Sequence, residues 1–358
     1  MPTPQRYDLT YDYADQLTNA PLKKATNNAL IRQYTYGYDL GSNRTSEQVG
    51  NASTTSVPND VNEITSQSGA TNRTLSYDLN GSLTSDGGTR TFEWDGANRL
   101  VAINYTGTTQ RTEFIYDGLS HCVKLVEKNG NTTVSTRRFL WCGNDRCEFR
   151  NNNGAVQYQL FAHGQYQNNA TYFYTRDHLG SIREMTDASG TVVARYDYDP
   201  WGRSTTVIGT NKPDFNFTGL YQHAKSGLDM AVYRFYDPDL GRWLNRDPVE
   251  ERGGVNLYRY VNNDPISKTD LSGLSPWYGN YCGPGNRPGP PANCVDTACK
   301  RHDDCYAKCG VAGLSGALLG NACSRACDRE LCRSLKSCKM SCRTESLARS
   351  LIYVVFCD

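Results

Sequence analysis

The chain has 358 residues and a formal net charge of +1, from 38 basic and 37 acidic side chains. So even a balance excludes a global field that would draw the chain to nucleic acid or to an anionic surface. Only 38% of the residues are apolar, while Tyr and Gly number 24 and 32; this mix suits β-structure with tight turns rather than Leu- and Ala-rich helices, at a length that admits two or three domains.

The N-terminus, Met1-Pro2-Thr3-Pro4, has neither the basic nor the apolar region of a signal peptide. No apolar run is long enough to span a bilayer, and Leu351 to Phe356 falls far short. The expectation is a chain that stays inside or leaves by a route that reads no such signal. Aromatic-Asp pairs then recur: Tyr38-Asp39, Tyr77-Asp78, Trp94-Asp95, Tyr116-Asp117 and Tyr198-Asp199. The closest are about one strand-turn-strand unit apart. Asn80-Gly81, Asp95-Gly96, Asp117-Gly118, Asn129-Gly130 and Asn153-Gly154 lie between them, and Gly after Asn or Asp supplies the positive φ that two-residue hairpins need. Ala194 to Tyr198 alternates polar and apolar as a half-buried strand should. An ordinary antiparallel β domain also fits these repeats.

From Tyr172 onward the order of residues is specific. Tyr174-Thr175-Arg176-Asp177-His178-Leu179-Gly180 is followed by Tyr198-Asp199-Pro200-Trp201-Gly202-Arg203 and by Arg234-Phe235-Tyr236-Asp237-Pro238. Gly241-Arg242-Trp243-Leu244-Asn245-Arg246-Asp247-Pro248 comes next, and Pro265 to Leu274 closes the series with Asp270-Leu271-Ser272-Gly273-Leu274. This order resembles the core-associated region that ends the repeat shell of Rhs and YD-repeat proteins. The resemblance implies a YD-repeat β-sheet over residues 1–171, a core-associated β region over 172–274, and a cargo over 275–358. In that family the shell is a β-cocoon around a variable C-terminal toxin, and many members cut themselves after the final Gly-Leu. It therefore implies self-cleavage after Leu274, with Asp247 and Asp270 as an aspartyl-protease-like pair and Arg246 nearby, since two carboxylates sharing a proton can activate water. The family's Asp-Pro is Asp270-Leu271 here, and Asp-rich turns that are only turns remain the plain alternative. His178, part of the signature, is expected to pack. Complete shells of the family are several times longer, so a partial shell with open, association-prone sheet edges is expected.

The last 84 residues hold eleven of the 14 cysteines, from Cys282 to Cys357. Such density in a small unit reads as a disulfide framework maturing under oxidising conditions, and the odd count leaves at least one thiol free or paired elsewhere. Tyr281-Cys282-Gly283-Pro284-Gly285-Asn286 forms a turn-rich loop. On a helix with Asp296 as N-cap, Cys299, His302, Asp303 and Tyr306 fall on one face. A second helical stretch carries Cys323, Cys327, Asp328, Cys332, Cys338 and Cys342, behind a connection rich in Gly and Ala from Gly310 to Gly320.

The Tyr-Cys-Gly-x-Gly loop, the Cys-x-x-His-Asp-x-Cys-Tyr helix and the later Cys-Asp resemble the secreted phospholipase A2 family, and the loop and His302 region are also similar to the phospholipase domain of parvoviral capsids. The resemblance spans Tyr281 to about Cys332 and implies a small α-helical, disulfide-rich domain. It implies Ca²⁺ held by the carbonyls of Tyr281, Gly283 and Gly285 and by Asp303, a site of hard oxygens. It further implies His302 as general base on a water, Asp328 fixing its tautomer, Tyr306 orienting Asp328, and the Gly283 amide at the oxyanion. The implied disulfides are Cys282–Cys299 and Cys305–Cys327; the family's adjacent cysteine pair before the His is Ala298-Cys299 here, so one familiar bridge is missing. Zinc is the rival for Cys294, Cys299, Cys305 and Cys309, although paired Cys-x-x-Cys spacing is absent.

The whole reads as an antiparallel β YD-repeat sheet, a partial Rhs shell, followed by a phospholipase A2-like toxin that is secreted or injected and cleaves the sn-2 ester of membrane phospholipids. Its implied partners are a phospholipid membrane, a neutralising immunity protein and a secretion-apparatus component, with no nucleic acid. A phospholipase-fold lipid binder without turnover, and an adhesive β-repeat protein with a cystine-stabilised end, are the alternatives.

Overall fold

The computed structural model describes residues 4–143, 145–209, 214–274, 294–308 and 322–337. These contain antiparallel strands from β1 (Gln5–Tyr7) to β28 (Arg242–Trp243), then the helices α1 (Cys294–Lys308) and α2 (Ala322–Ser337). No helix among the described residues is long and apolar enough to cross a membrane.

The aromatic-Asp repeat marks a particular turn. At Asp78 the backbone N–H donates to the Ser82 carbonyl and the carbonyl accepts from Gly81. The Asp78 Oδ1 caps the loop by accepting the amides of Asn80 at 2.9 Å and Ser82 at 2.8 Å. Asp95, Asp117, Asp177 and Asp199 repeat the pattern. A short side-chain acceptor thus satisfies loop amides that would otherwise go unpaired. The residue three after the Asp turns left-handed, at Gly81 (φ 80°) and Gly202 (φ 92°), but also at Asn98 (φ 56°) and Ser120 (φ 64°). The expectation for Asp95-Gly96 and Asp117-Gly118 is corrected accordingly: the longer Asp-capped loop puts the positive φ at Asn98 and Ser120, not at those glycines. A two-residue hairpin does follow Asn129, which pairs with Thr132 across Gly130 (φ 56°) and Asn131.

Fourteen strands, β11 (Ser76–Tyr77) to β24 (Ser204–Ile208), form one sheet in sequence order. Residues 171 and 172 both lie in β21 (Ala170–Arg176), which pairs with both neighbouring strands and shifts register on one side between Thr175 and Arg176. A seven-stranded sheet precedes it, built from β2 (Thr10–Tyr11), β3 (Leu17–Asn19) and the five successive strands from β6 (Tyr34–Tyr38) to β10 (Arg73–Thr74), with β3 beside β6. Residues 221–243 form a four-stranded sheet, β25 (Tyr221–His223) to β28, that packs on the long one. Rings join them: Phe114 meets Phe235 at 5.0 Å and Phe139 meets Tyr221 at 5.2 Å between centroids. Trp201, Trp243, Tyr236, Tyr258 and Tyr260 are fully buried, each contributing roughly 2–3 kcal/mol of burial. Polar ties lock the same contact, with the Tyr258 hydroxyl donating to the Gly81 carbonyl at 2.7 Å and Arg90 paired to buried Asp237 at 2.7 Å.

His178 does not pack into this core. Its ring is exposed and bonds the Ile266 carbonyl at 2.7 Å, pinning the turn to the closing segment. Cys142 and Cys147 are bonded across the turn between β17 (Thr132–Cys142) and β18 (Asp145–Arg150), and buried Cys122 is the free thiol among the described residues.

Candidate functional site

The segment that ends the shell folds back onto β27 (Phe235–Asp237) and the residues before it. The Tyr233 amide donates to the Ser272 carbonyl at 2.9 Å, so the strand and the closing segment are held in register. Asp270, fully buried, organises the segment: its Oδ1 accepts the Ser272 hydroxyl at 3.0 Å, the Gly273 amide at 2.8 Å and the Leu274 amide at 3.3 Å. Gly273 has a φ of 77°, and a Cβ there would lie 3.0 Å from the Arg234 Cβ and 3.1 Å from its amide nitrogen. Glycine is what lets this backbone approach so closely.

Arg234 is the centre of the cluster. It is 2% exposed, and its guanidinium stacks on Trp243 at 4.4 Å. Its Nη2 donates to Asp247 Oδ2 at 2.8 Å and lies 3.5 Å from Asp270 Oδ2. Its Nη1 donates to the Leu257 carbonyl at 3.1 Å, and its Nε donates to the Gly273 carbonyl. Asp247 Oδ1 accepts the Val249 amide at 3.0 Å. Burial pushes the Asp247 carboxyl up to about 6, against the pull of Arg234. Burial also raises Asp270, again opposed by Arg234, and lowers Arg234 from the usual guanidinium range. Two acids with raised pKa values thus flank one cation next to the closing peptide segment.

Of the residues singled out in the sequence, Asp247 and Asp270 are brought together and Arg246 is not. Arg246 turns outward to the Tyr258 hydroxyl at 3.4 Å and Glu63 at 3.8 Å. The cation at the pair is Arg234, which the sequence reading passed over. A signal existed: Arg234 opens the Arg-Phe-Tyr-Asp-Pro signature, a charge beside a run of buried strand residues. Charges placed so deep are paired.

In the tail, α1 packs against α2. Ala298, Cys299 and His302 are buried on α1, and Cys327, Leu331 and Leu335 form a buried stripe at i, i+4 and i+8 on α2. A disulfide joins Cys305 to Cys327, with Cα atoms 5.8 Å apart. It places the α1 turn carrying His302 beside the α2 backbone that continues into Asp328. Cys299 and Cys332 are disulfide-bonded as well. Asp296 falls inside α1 rather than at its cap. Asp303 and Tyr306 lie in α1 and Asp328 in α2, but their side chains, like Tyr281, Cys282, Gly283 and Gly285 altogether, are outside the described residues.

The teneurin YD-shell family model matches residues 3–266. The "tRNA3(Ser)-specific nuclease WapA" of Bacillus spizizenii is 26% identical over 275 residues, covering 72% of this chain and 12% of that protein. The "Double-stranded DNA deaminase toxin A" of Burkholderia cenocepacia is 28% identical over 227 residues, covering 53% of this chain and 16% of its own length. A Photorhabdus luminescens Tc holotoxin pore aligns with 17% identity and a TM-score of 0.43, over 76% of this chain and 18% of that one. The chain thus spans about an eighth to a sixth of the length of these curated relatives.

Proposed function

The chain belongs to the teneurin YD-shell family, and from that premise we propose that it is the distal part of a toxin-carrying shell that frees its own C-terminal tail, a calcium-dependent phospholipase A2-like enzyme. The relatives' names, one a tRNA nuclease and one a DNA deaminase, differ in activity. The cargo's chemistry is therefore to be read from the tail itself.

The observation that carries the reading is the buried His302, one helical turn before a cysteine that is bonded to the neighbour of Asp328. In this reading His302 takes a proton from water as the water attacks the sn-2 ester. Asp328 holds the far ring nitrogen and fixes the tautomer, Tyr306 orients Asp328, and the Gly283 amide supports the developing oxyanion. The carbonyls of Tyr281, Gly283 and Gly285 with the Asp303 carboxylate are a hard-oxygen set that suits Ca²⁺, which when bound supplies positive charge next to the ester carbonyl. Release is the task of Asp247 and Asp270, cutting after Leu274. Delivery by secretion or injection, a secretion-apparatus partner, an immunity protein in the producing cell and a phospholipid membrane as substrate all belong to this reading.

A second reading, a tail acting on nucleic acid, is favoured by the names of the relatives. A lipid binder without turnover and an adhesive repeat protein are the weaker rivals. The full chain incubated with mixed phospholipid micelles, with and without chelator, and in parallel with tRNA and duplex DNA, separates them. Calcium-dependent fatty-acid release with intact nucleic acid is the expected result; nucleic-acid breakdown or deamination without lipid release sinks the phospholipase reading.

A further inference from the structure

We infer that Arg234 is the positioning residue of the self-cleaving site, its guanidinium tying the Asp247–Asp270 pair to the peptide unit that precedes the cut. The inference rests on the self-cleavage reading and goes past it, because it gives Arg234 the part that the sequence assigned to Arg246.

The geometry favours a device over a simple buried ion pair. A guanidinium paired only for stability needs the two carboxylates. Arg234 also turns its Nε to the carbonyl of Gly273, the residue before Leu274, while Asp270 Oδ1 holds the Gly273 and Leu274 amides from the other side. The segment is therefore gripped on its carbonyl edge by the cation and on its amide edge by one of the acids. Trp243 beneath the guanidinium and the Leu257 carbonyl at its other end leave the arginine little freedom to turn. Arg246 makes none of these contacts.

Three tasks follow for one side chain. It fixes the backbone just upstream of the Leu274–Ser275 bond, it keeps one carboxyl of the pair ionised by its charge, and it leaves the other to carry the shared proton. Water is the co-reactant. The ionised carboxylate takes a proton from it as its oxygen bonds to the Leu274 carbonyl carbon. The protonated acid gives its proton to the Ser275 nitrogen as the C–N bond breaks, leaving a Leu274 carboxylate and a Ser275 amine. Protons and electrons balance without any other reagent.

The test follows cleavage of the full chain during cell-free synthesis, read on a denaturing gel as a function of pH. Asp247→Asn is the control for the underlying reading, and cutting at the wild-type rate in that variant removes the self-cleavage reading itself. With that variant blocked, Arg234→Gln is expected to slow cleavage about 100-fold. Loss of the cation also moves the pH profile of the residual reaction upward, because the acids lose their neighbouring charge. Arg234→Lys restores part of the rate and shifts the profile back, whereas Arg246→Gln cuts as the wild type does. An Arg234→Gln chain with the wild-type rate and profile overturns the proposal, and so does equal damage from Arg246→Gln. Should Arg234 variants not fold, Gly273→Ala decides: its new Cβ crowds Arg234 and lifts the Gly273 carbonyl away, so slow cleavage is expected and an unchanged rate overturns the inference.

Discussion

In the described residues from 4 to 274, the fold is closed by fully buried tyrosine and tryptophan rings, by Asp and Asn side-chain oxygens that cap the repeat turns, and by one short-range disulfide. In residues 294–308 and 322–337, two helices meet over a handful of small and apolar side chains, and a disulfide spanning 22 positions ties them. The difference is one of scale. A long sheet can spread its stability over many pairings, whereas a small helical pair cannot bury enough surface to dispense with covalent ties. The sheet region accordingly leans on its many pairings, and the helical pair leans on covalent ties that persist only where conditions are oxidising.

The sharpest way to break this contrast is at His302. His302→Gln is expected to lower calcium-dependent fatty-acid release on the order of 10³-fold, with the helical signal and the shell unchanged. Release that survives the substitution removes His302 from the chemistry. Reduction probes the contrast next. Replacing Cys305 and Cys327 together by Ala should cost the tail about 3 kcal/mol, read as faster proteolysis of α1 and α2, while the shell's unfolding midpoint stays where it was. A shell that melts along with the tail shows that the two regions are one cooperative unit.

Acid titration sharpens the picture within the shell. Burial raises the folded pKa of Asp247 to about 6, from the usual 3.8 of an aspartate. The folded state therefore holds this proton more tightly than the unfolded one. Its stabilising share is fully present below about pH 4 and is lost as pH rises through about 6, amounting to roughly 3 kcal/mol. Asp247→Asn cannot titrate, so wild-type stability measured against this variant should fall across that window and run flat above it. A difference that is constant from pH 4 to pH 7 denies the raised pKa.

Much of the shell was legible because its signals are local. The Tyr-Asp and Trp-Asp pairs are turn chemistry, and each Asp acts within four residues of itself. Gly96 and Gly118 misled because Asp-Gly is equally the signal of a shorter hairpin, and only the loop length separates the two. Arg246 misled for another reason. It adjoins Asp247 in sequence, but its side chain runs to Tyr258 and Glu63, and the cation that reaches the pair comes from the residue just before β27, 13 positions earlier. Contacts between distant segments leave no periodic trace. Cys305 and Cys327 could be singled out only through resemblance, since eleven cysteines admit many pairings.

The smallest effect addresses how the shell distributes its stability. Asp78 Oδ1 accepts two loop amides, from Asn80 and Ser82. Asp78→Ala should cost about 1 kcal/mol in chemical denaturation, the usual price of a lost side-chain cap. Asp78→Asn, which keeps an acceptor in the same place, should lose less than half of that. The same pair of substitutions at Asp177 should give the same ratio, because its oxygen takes the amides of Leu179 and Ser181 in the same way. If Asn is as damaging as Ala at both positions, charge rather than capping holds the turns, and the view of the shell as a sum of locally capped hairpins is lost.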